Sequence, residues 1–266
     1  MNKILFKIAY DGGGFHGWQK QPGIRTVQGV LEKKLGFVLR EPVTLEGTSR
    51  TDAGVHALGQ CASMRGDFAM PVDRIPVAVN NIISDVRILS SEEKPDGFRA
   101  RFDAVGKTYI YRFAISPGYE IFLRNYACLL AKSPNIDNMS EAAKQMEGRH
   151  DFAGFQTAGG TPRESTVRTI FAMRVTGGTE TGPAGIVYET IEVEVTGDGF
   201  LYNMVRIIAG TLLETGFGRI APEEIANILS AKNRSAAGPT APPQGLYLKE
   251  VYYDNEALMA RVRGEW

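Results

Sequence analysis

The order in which strand-like and helix-like segments follow one another is the strongest constraint on how this chain can fold. In residues 3–10 apolar side chains alternate with polar ones, which is typical of a half-buried strand. In residues 26–39 apolar side chains recur at helical spacing after Thr26, whose hydroxyl is suited to capping a helix. Strands at 43–46, 61–64 and 86–89 and a helix near 73–83 complete the order strand, helix, strand, strand, helix, strand.

The second part of the chain repeats this order with insertions. Its expected segments are a strand at 107–115, a helix near 139–146, strands at 167–175 and 186–195, a helix at about 200–214 and a strand at 246–252. The insertions include a turn-rich hairpin tip at 177–185 and a short helix opened by Pro222. Residues 235–243, rich in alanine and proline, are expected to form a low-complexity loop. We therefore predict an α+β fold of two ferredoxin-like (βαββαβ) halves, residues 1–103 and 104–266, whose sheets flank a central cleft.

Composition excludes several classes of protein. Of the 266 residues, 43% are hydrophobic and 23% are charged, as is usual for a globular protein. No apolar run approaches the roughly 20 residues of a membrane-spanning helix. The chain enters a strand directly, without a signal peptide, so we expect a cytoplasmic protein with no membrane association.

Cysteine, histidine and charge counts bound the possible partners. The two cysteines and three histidines show no ligand spacing, so neither a disulfide framework nor a metal site is expected. The 30 basic residues balance 30 acidic ones. A nucleic-acid partner would therefore require the cations to be gathered on one surface.

One polar stretch, residues 47–60, lies between two short strand-like segments and is expected to form a loop. It offers a cation at Arg50, a hydroxyl at Thr51 and a carboxylate at Asp52, followed by glycines that permit tight backbone geometry. These residues alone leave two interpretations open. Either Asp52 caps its own loop with Arg50 as a surface ion pair, or its carboxylate takes part in chemistry.

The run Ser-Arg-Thr-Asp-Ala-Gly-Val-His at 49–56 closely resembles the catalytic loop of the tRNA pseudouridine synthase A family. One small departure is Ser49, where many members have glycine. The resemblance extends over nearly the whole chain through further segments in the family's order. They are Tyr10-Asp11-Gly12, Gly17-Trp18-Gln19, the run from Phe98 to Phe102 leading to Tyr109-Ile110-Tyr111, His150-Asp151-Phe152, the helix around Arg206, and Gly245-Leu246-Tyr247-Leu248.

Arg206 is a single cation in the otherwise apolar helical segment 201–210. Burying a guanidinium alone costs several kcal/mol, so it either extends to the surface or pairs with a carboxylate. The resemblance implies that Arg206 pairs with Asp52, the nucleophile. A bidentate arginine would keep that carboxylate ionised and hold it in one orientation.

The resemblance also implies how the target base is handled. Tyr109 would stack on the target uracil, with relay of the final proton as a second role that stays open. Arg50 would fill the space that the flipped nucleotide leaves. Asp52 would attack either the ribose or the uracil ring, and the freed base would turn and rejoin through carbon.

We expect phosphate contacts from basic residues near these segments. They are Lys20, Arg25, Arg99, Arg101, Lys107 and Arg112. An acidic run is expected to lie away from the RNA. It consists of Glu189, Glu192, Glu194 and Asp198.

The resemblance implies a homodimeric tRNA pseudouridine synthase that isomerises uridines of the anticodon stem-loop in a central RNA-binding catalytic cleft. Isomerisation involves no redox change and no gain or loss of atoms, so no cofactor and no metal are expected. Two rivals stay open. One is a non-catalytic RNA-binding protein with ferredoxin-like domains, which would have no use for the Asp52 carboxylate, and the other is a pseudouridine synthase with a different RNA target.

Overall fold

The computed structural model describes residues 2–115, 120–160, 164–182 and 185–265. Within these ranges the strands are β1 (Asn2–Tyr10), β2 (Glu46–Gly47), β3 (His56–Gly66), β4 (Val86–Lys94), β5 (Gly106–Ile115), β6 (Cys128–Leu129), β7 (Gly148–Asp151), β8 (Val167–Thr181), β9 (Val187–Gly197) and β10 (Leu246–Tyr252). The helices are α1 (Val27–Leu39), α2 (Ile75–Asn80), α3 (Glu120–Leu123), α4 (Ile136–Gln145), α5 (Met204–Gly216), α6 (Ile225–Ala231) and α7 (Asn255–Arg263). Short 3-10 turns lie at Gly12–Gly14, Val72–Arg74, Ala153–Phe155, Pro222–Glu224, Arg234–Ala236 and Pro243–Gly245.

The chain forms two compact units. The first contains Met1–Val105 together with Tyr247–Leu258, and the second contains Gly106–Leu246 together with Met259–Trp266. The segment that holds most of β10 therefore belongs to the first unit, although it is far from the rest of that unit in sequence.

In the first unit the strands follow the order β4, β1, β3, and both β2 and β10 pair with β3. β1 is antiparallel to β3 and β4, whereas β10 runs parallel to β3 with Tyr247 opposite His56. The Thr26 side chain accepts a hydrogen bond from the Gly29 N–H and so caps α1. The core of this unit includes the buried side chains of Ile4, Phe6, Ile8, Leu31, Leu35 and Ile75.

In the second unit the strands follow the antiparallel order β5, β9, β8, β7, and β6 pairs in parallel with β5. Helix α4 packs on α5 and on β8. The core of this unit includes the buried side chains of Tyr111, Phe113, Met139, Phe152, Phe155, Val193, Ile208 and Leu212.

The predicted α+β class is confirmed, since antiparallel pairing dominates among the strands of each unit and helices accompany those strands. The finer layout of two ferredoxin-like halves, with their boundary after residue 103, stays a prediction. Strand 246–252 and the helix after Thr26 are confirmed as segments. The short helix opened by Pro222 forms as a 3-10 turn that leads into α6.

Three segment predictions need correction. The strand predicted at 43–46 forms instead at Glu46–Gly47, where it pairs with β3. The polar stretch 47–60 is not a loop throughout, because β3 begins at His56 and pairs with β1 from Ala57 onward. The hairpin tip is shorter than predicted, because β8 continues to Thr181 in register with β9. Residues 183 and 184 of that tip lie outside the described residues. Helix α7 at residues 255–263 was not predicted.

In the part of the chain that the structure describes, no helix has both the length and the apolar character needed to cross a membrane.

Candidate active site

The backbone around Asp52 is held on both sides by contacts within the first unit. The Trp18 N–H donates to the Thr51 carbonyl over 3.0 Å, and the Val55 N–H donates to the Asp52 carbonyl over 3.1 Å. The hydroxyl oxygens of Thr51 and Tyr10 lie 2.7 Å apart, and Thr51 is buried. The loop thus presents the half-buried Asp52 side chain from a fixed backbone.

Two glycines allow other segments to approach this loop closely. Gly17 has a φ of +84°, and a Cβ there would lie 2.6 Å from the Thr51 carbonyl oxygen. A Cβ on Gly12 would lie 2.0 Å from the Val55 carbonyl oxygen. Any larger residue at either position would force the Asp52 loop to move.

Gln60 fixes the start of the loop from the middle of β3. Its side chain is fully buried, its amide N–H donates to the Ser49 carbonyl over 2.8 Å, and its amide oxygen accepts from the N–H groups of Cys61 and Ser49. Ser49 is therefore held through its main chain. The departure from glycine at this position leaves that anchoring intact.

Arg50 is exposed on the surface of the same loop. Its Nε donates to the Gln19 side-chain oxygen over 3.1 Å, and Gln19 in turn donates to the Gln28 side chain. Arg50, two residues before Asp52, is thus held beside the Gly17-Trp18-Gln19 segment.

Tyr109 lies on β5 in the second unit, where it pairs with Val195 of β9. Its side chain is only 7% exposed, and its ring meets the ring of Phe200 edge-on, with 5.0 Å between the centroids. Phe200 therefore sets the tilt of the tyrosine ring, a contact that sequence analysis did not predict.

Arg206 lies in the first turn of α5 and is half-buried. Its Nε donates to the Ala241 carbonyl over 2.7 Å, and its Nη1 donates to the Asn203 side-chain oxygen over 2.7 Å. Asn203 has a left-handed backbone, with a φ of 61°, and its amide nitrogen donates to the Thr157 hydroxyl over 2.8 Å. The guanidinium is thus oriented by Asn203 and by the chain segment that follows α6.

That segment, residues 237–243, is packed tightly on α5. The Gly238 N–H donates to the Thr211 hydroxyl over 2.9 Å, and a Cβ on Gly210 would lie 1.9 Å from the Pro239 carbonyl oxygen. The residues that sequence composition indicates to be a plain loop are therefore held in place beside Arg206.

Three of the basic residues predicted to contact RNA form ion pairs within their own unit. Lys20 Nζ lies 2.8 Å from the Glu32 carboxylate, and Arg25 pairs with Asp85. Arg112 pairs with Glu180 and, over 3.0 Å, with Glu192. Since Glu192 is expected to lie away from RNA, this contact is in tension with a phosphate-binding role for Arg112.

The other three predicted RNA contacts have different surroundings. Lys107 is half-buried at the start of β5, opposite Gly197 of β9. Arg99 and Arg101 are exposed, and both guanidinium groups lie over the ring of Phe102.

The remaining candidate reactive groups are the cysteine thiols and possible metal ligands. Among the described residues, no group of three or more His, Cys, Asp or Glu side chains is arranged to hold a metal ion. Cys61 and Cys128 are both buried free thiols. Burial raises the pKa of Cys61 to about 12 and also raises the pKa of Cys128, so both thiols stay protonated and weakly nucleophilic at neutral pH.

Sequence analysis missed the residues that orient the candidate groups. They are Gln60, Asn203, Phe200 and the Ala241 carbonyl. Gln60 alone carries a sequence signal, because it is a polar residue next to the apolar run of a strand, whereas the other contacts arise only from tertiary packing.

Comparison with known proteins gives a consistent result. A family model described as tRNA pseudouridine synthase matches residues 7–103 and 142–254. The chain is 45% identical over 256 residues to a Ruminiclostridium cellulolyticum protein named tRNA pseudouridine synthase A, a match that covers 95% of this chain and 100% of the relative. A Bacillus subtilis protein of the same name is 44% identical with the same coverage. A Clostridium tetani protein named tRNA pseudouridine synthase A 2 is 42% identical over 94% of this chain and 98% of its own length.

Proposed function

The chain belongs to the tRNA pseudouridine synthase family, and from that premise we propose that it isomerises uridine to pseudouridine in the anticodon stem-loop of tRNA. The main support for this activity is sequence identity above 40% to relatives named tRNA pseudouridine synthase A or A 2, over nearly their full length. The fixed backbone of the Asp52 loop supports it independently, because a nucleophile must be held in position before its substrate arrives.

The reaction moves one bond and conserves every atom. The bond between the ribose C1′ and N1 of uracil breaks, the base turns, and a bond forms between C1′ and C5. The proton lost from C5 is balanced by one gained at N1. A carboxylate that bonds covalently to the substrate divides this change into two easier steps, which is the role we propose for Asp52.

Arg206 is proposed to pair with the Asp52 carboxylate in the active enzyme. The hydrogen bonds from Arg206 to Ala241 and Asn203 use its Nε and Nη1 and so fix the plane of the guanidinium. A guanidinium fixed in this way is suited to orient a carboxylate at little further entropic cost.

Tyr109 and Arg50 are proposed to hold the target nucleotide outside the helical stem. Extruding a base costs a few kcal/mol of stacking energy, which an aromatic face and an inserted cation offset. The exposure of Arg50 supports its movement into the RNA, and the edge contact with Phe200 supports a defined tilt of the Tyr109 ring.

We further propose a cytoplasmic homodimer that binds tRNA across both copies. The balance of 30 basic and 30 acidic residues gives no global attraction for RNA, so a basic surface composed from two copies is favoured. Sedimentation at micromolar concentration should show a dimer. A monomer with full activity would contradict this part of the proposal.

The deciding experiment is incubation of the purified protein with unmodified tRNA transcripts, followed by mapping of pseudouridine by chemical labelling. Label confined to the anticodon stem-loop is the expected result. Label elsewhere would support a synthase with a different target, and tRNA binding without any label would favour a non-catalytic RNA-binding protein.

A further inference from the structure

The turn at residues 97–103 presents an aromatic ring to solvent, with two cations close to it. Phe102 is 60% exposed, and the guanidinium carbons of Arg99 and Arg101 lie 4.5 and 5.5 Å from its ring centroid. Both distances are within the range of cation–π attraction. The ring contributes little to the core, whereas this pairing of an aromatic face with arginines is suited to single-stranded nucleic acid.

The backbone of this turn is closed before any ligand binds. The Arg99 carbonyl accepts from the N–H groups of Phe102 and Asp103, each over 3.0 Å, and the Asp103 carboxylate accepts from the Arg99 N–H over 2.8 Å. The Phe102 ring is therefore displayed from a preformed turn, which lowers the entropic cost of binding.

The same turn is joined to the loop that carries Asp52. The buried Ala100 carbonyl accepts from the Tyr253 hydroxyl over 2.9 Å and from the Thr48 hydroxyl over 3.1 Å, and these two hydroxyl oxygens lie 2.6 Å apart. Thr48 precedes Asp52 in the same polar stretch. Three groups from separate parts of the first unit thus meet at one point.

Tyr253 is well placed to keep this junction together. Its ring packs against Phe98, with 5.1 Å between the centroids. Burial, together with the nearby Cys61 thiol, raises the pKa of Tyr253, so its hydroxyl keeps its proton at neutral pH. The hydroxyl groups of Tyr253 and Thr48 can therefore each donate one hydrogen bond at this junction. The Ala100 carbonyl oxygen and the two hydroxyl oxygens are the acceptors.

We propose that Phe102 stacks on an unpaired tRNA nucleotide whose flanking phosphates meet Arg99 and Arg101, and that the Tyr253 hydroxyl fixes this contact in register with Asp52. The inference rests on the proposed function and adds to it a stacking residue and a positioning residue. An unpaired nucleotide fits because its base face matches the ring and its phosphates match the cations.

The stacking contact is tested by equilibrium binding of an unmodified tRNA transcript over a range of salt concentrations. Phe102→Leu keeps an apolar side chain without the aromatic face, so it should weaken binding about tenfold and leave the salt dependence unchanged. Arg99→Ala with Arg101→Ala should instead lower the salt slope by about two, one for each phosphate contact.

The matched control for Phe102→Leu is Phe37→Leu on α1, because Phe37 is 75% exposed in the same unit. It should bind tRNA like the parent. Equal affinity of Phe102→Leu and the parent would overturn the stacking contact.

The positioning role is tested by Tyr253→Phe, which keeps the ring and removes the hydroxyl. We expect tRNA affinity within about twofold of the parent and a single-turnover rate about tenfold lower, since a small misplacement of reacting groups is costly. Thr48→Val should act alike, and the double variant should be no slower than either single variant because both break one junction.

Tyr252→Phe, which changes a neighbouring tyrosine outside the junction, is the control and should turn over normally. A parental rate in Tyr253→Phe, or additive losses in the double variant, would overturn the positioning role. A parent protein that binds tRNA without forming pseudouridine would overturn the proposed function and the role of Tyr253. In that case the tRNA affinities of Phe102→Leu and the parent would still show whether Phe102 stacks on a nucleotide.

Discussion

The hydroxyl groups of Tyr10 and Thr51 lie 2.7 Å apart, so the last residue of β1 holds the residue immediately before Asp52. The Trp18 N–H binds the Thr51 carbonyl from another direction. These two contacts and the Val55 bond to the Asp52 carbonyl do not involve the Asp52 side chain. The carboxylate can therefore be altered without removing these anchors of the loop.

Asp52→Asn should fold normally and bind tRNA at least as tightly as the parent, because a negative charge near phosphates is removed. Pseudouridine formation should become undetectable, since an amide cannot replace the carboxylate nucleophile. The measurement is single-turnover isomerisation of bound tRNA, with affinity determined in parallel.

Asp67→Asn is the control for Asp52→Asn, because Asp67 is an exposed carboxylate outside the loop. It should retain the parental rate. If Asp52→Asn also turns over within about tenfold of the parent at equal binding, Asp52 acts only as a loop cap.

Tyr109→Phe separates the two roles left open for this residue. If the tyrosine only packs on uracil, most activity should survive, whereas loss of a proton relay should slow turnover by roughly two orders of magnitude. Tyr109→Ala should impair activity in either case, because it also removes the ring that packs against Phe200. A fully active alanine variant would reject this site assignment.

Arg206→Ala should abolish turnover by leaving Asp52 misaligned. It should also lower the free energy of unfolding by about 1–3 kcal/mol, because the Ala241 carbonyl and the Asn203 side chain lose a charged donor. Chemical denaturation and single-turnover kinetics measure the two effects. Arg219→Ala, which breaks an exposed pair with Glu214, should change neither by much, and similar losses in both variants would contradict the prediction.

Gly210→Ala should destabilise the protein by about 1–3 kcal/mol, although alanine is the better helix former. The new Cβ would lie 1.9 Å from the Pro239 carbonyl oxygen and would push away the segment that carries the Ala241 carbonyl. Turnover should therefore fall as well. Gly97→Ala has no atom within 4 Å of its added Cβ and should leave the denaturation midpoint unchanged.

Asp151→Asn should make stability less dependent on pH in the acid range. The hydrogen bonds from Lys232 and Thr166 hold the pKa of Asp151 below its usual value, so the carboxylate stabilises the fold above the unfolded-state pKa of about 3.9. That stability is lost as the pH falls through the lower, folded-state pKa. The difference between variant and parent in urea denaturation should be largest near neutral pH and should shrink in acid, and a constant difference would contradict the prediction.

The segments that were predictable from sequence are those with strong local signals. Helix α1 combines a threonine cap with apolar residues at helical spacing, and β10 follows a glycine and is rich in aliphatic and aromatic side chains. Pairing partners were not predictable in this way. The parallel alignment of Tyr247 with His56 depends on contacts between residues far apart in sequence.

In the candidate site too, the sequence indicates individual residues but not the tertiary contacts that orient them. The family resemblance of the sequence indicates Asp52, Tyr109 and Arg206, whose catalytic roles stay predictions. One of the contacts that orient Arg206, the Ala241 carbonyl, comes from a segment whose alanine, glycine and proline content indicates only a loop. Its close fit on α5 requires Gly210 and Gly238 to approach main-chain atoms, which composition does not reveal.

The pairing of β10 with β3 also affects how this enzyme folds during translation. Tyr247 stacks on His56, the residue where β3 begins just after the Asp52 loop, with 4.7 Å between the ring centroids. When residues 1–105 of a nascent chain have left the ribosome, Tyr247 has not yet been made. It is added only after residues 106–246, the main segment of the second unit, have been translated. The Asp52 loop thus gains the support of β10 late in synthesis, so a prematurely terminated chain has the Asp52 segment without that strand.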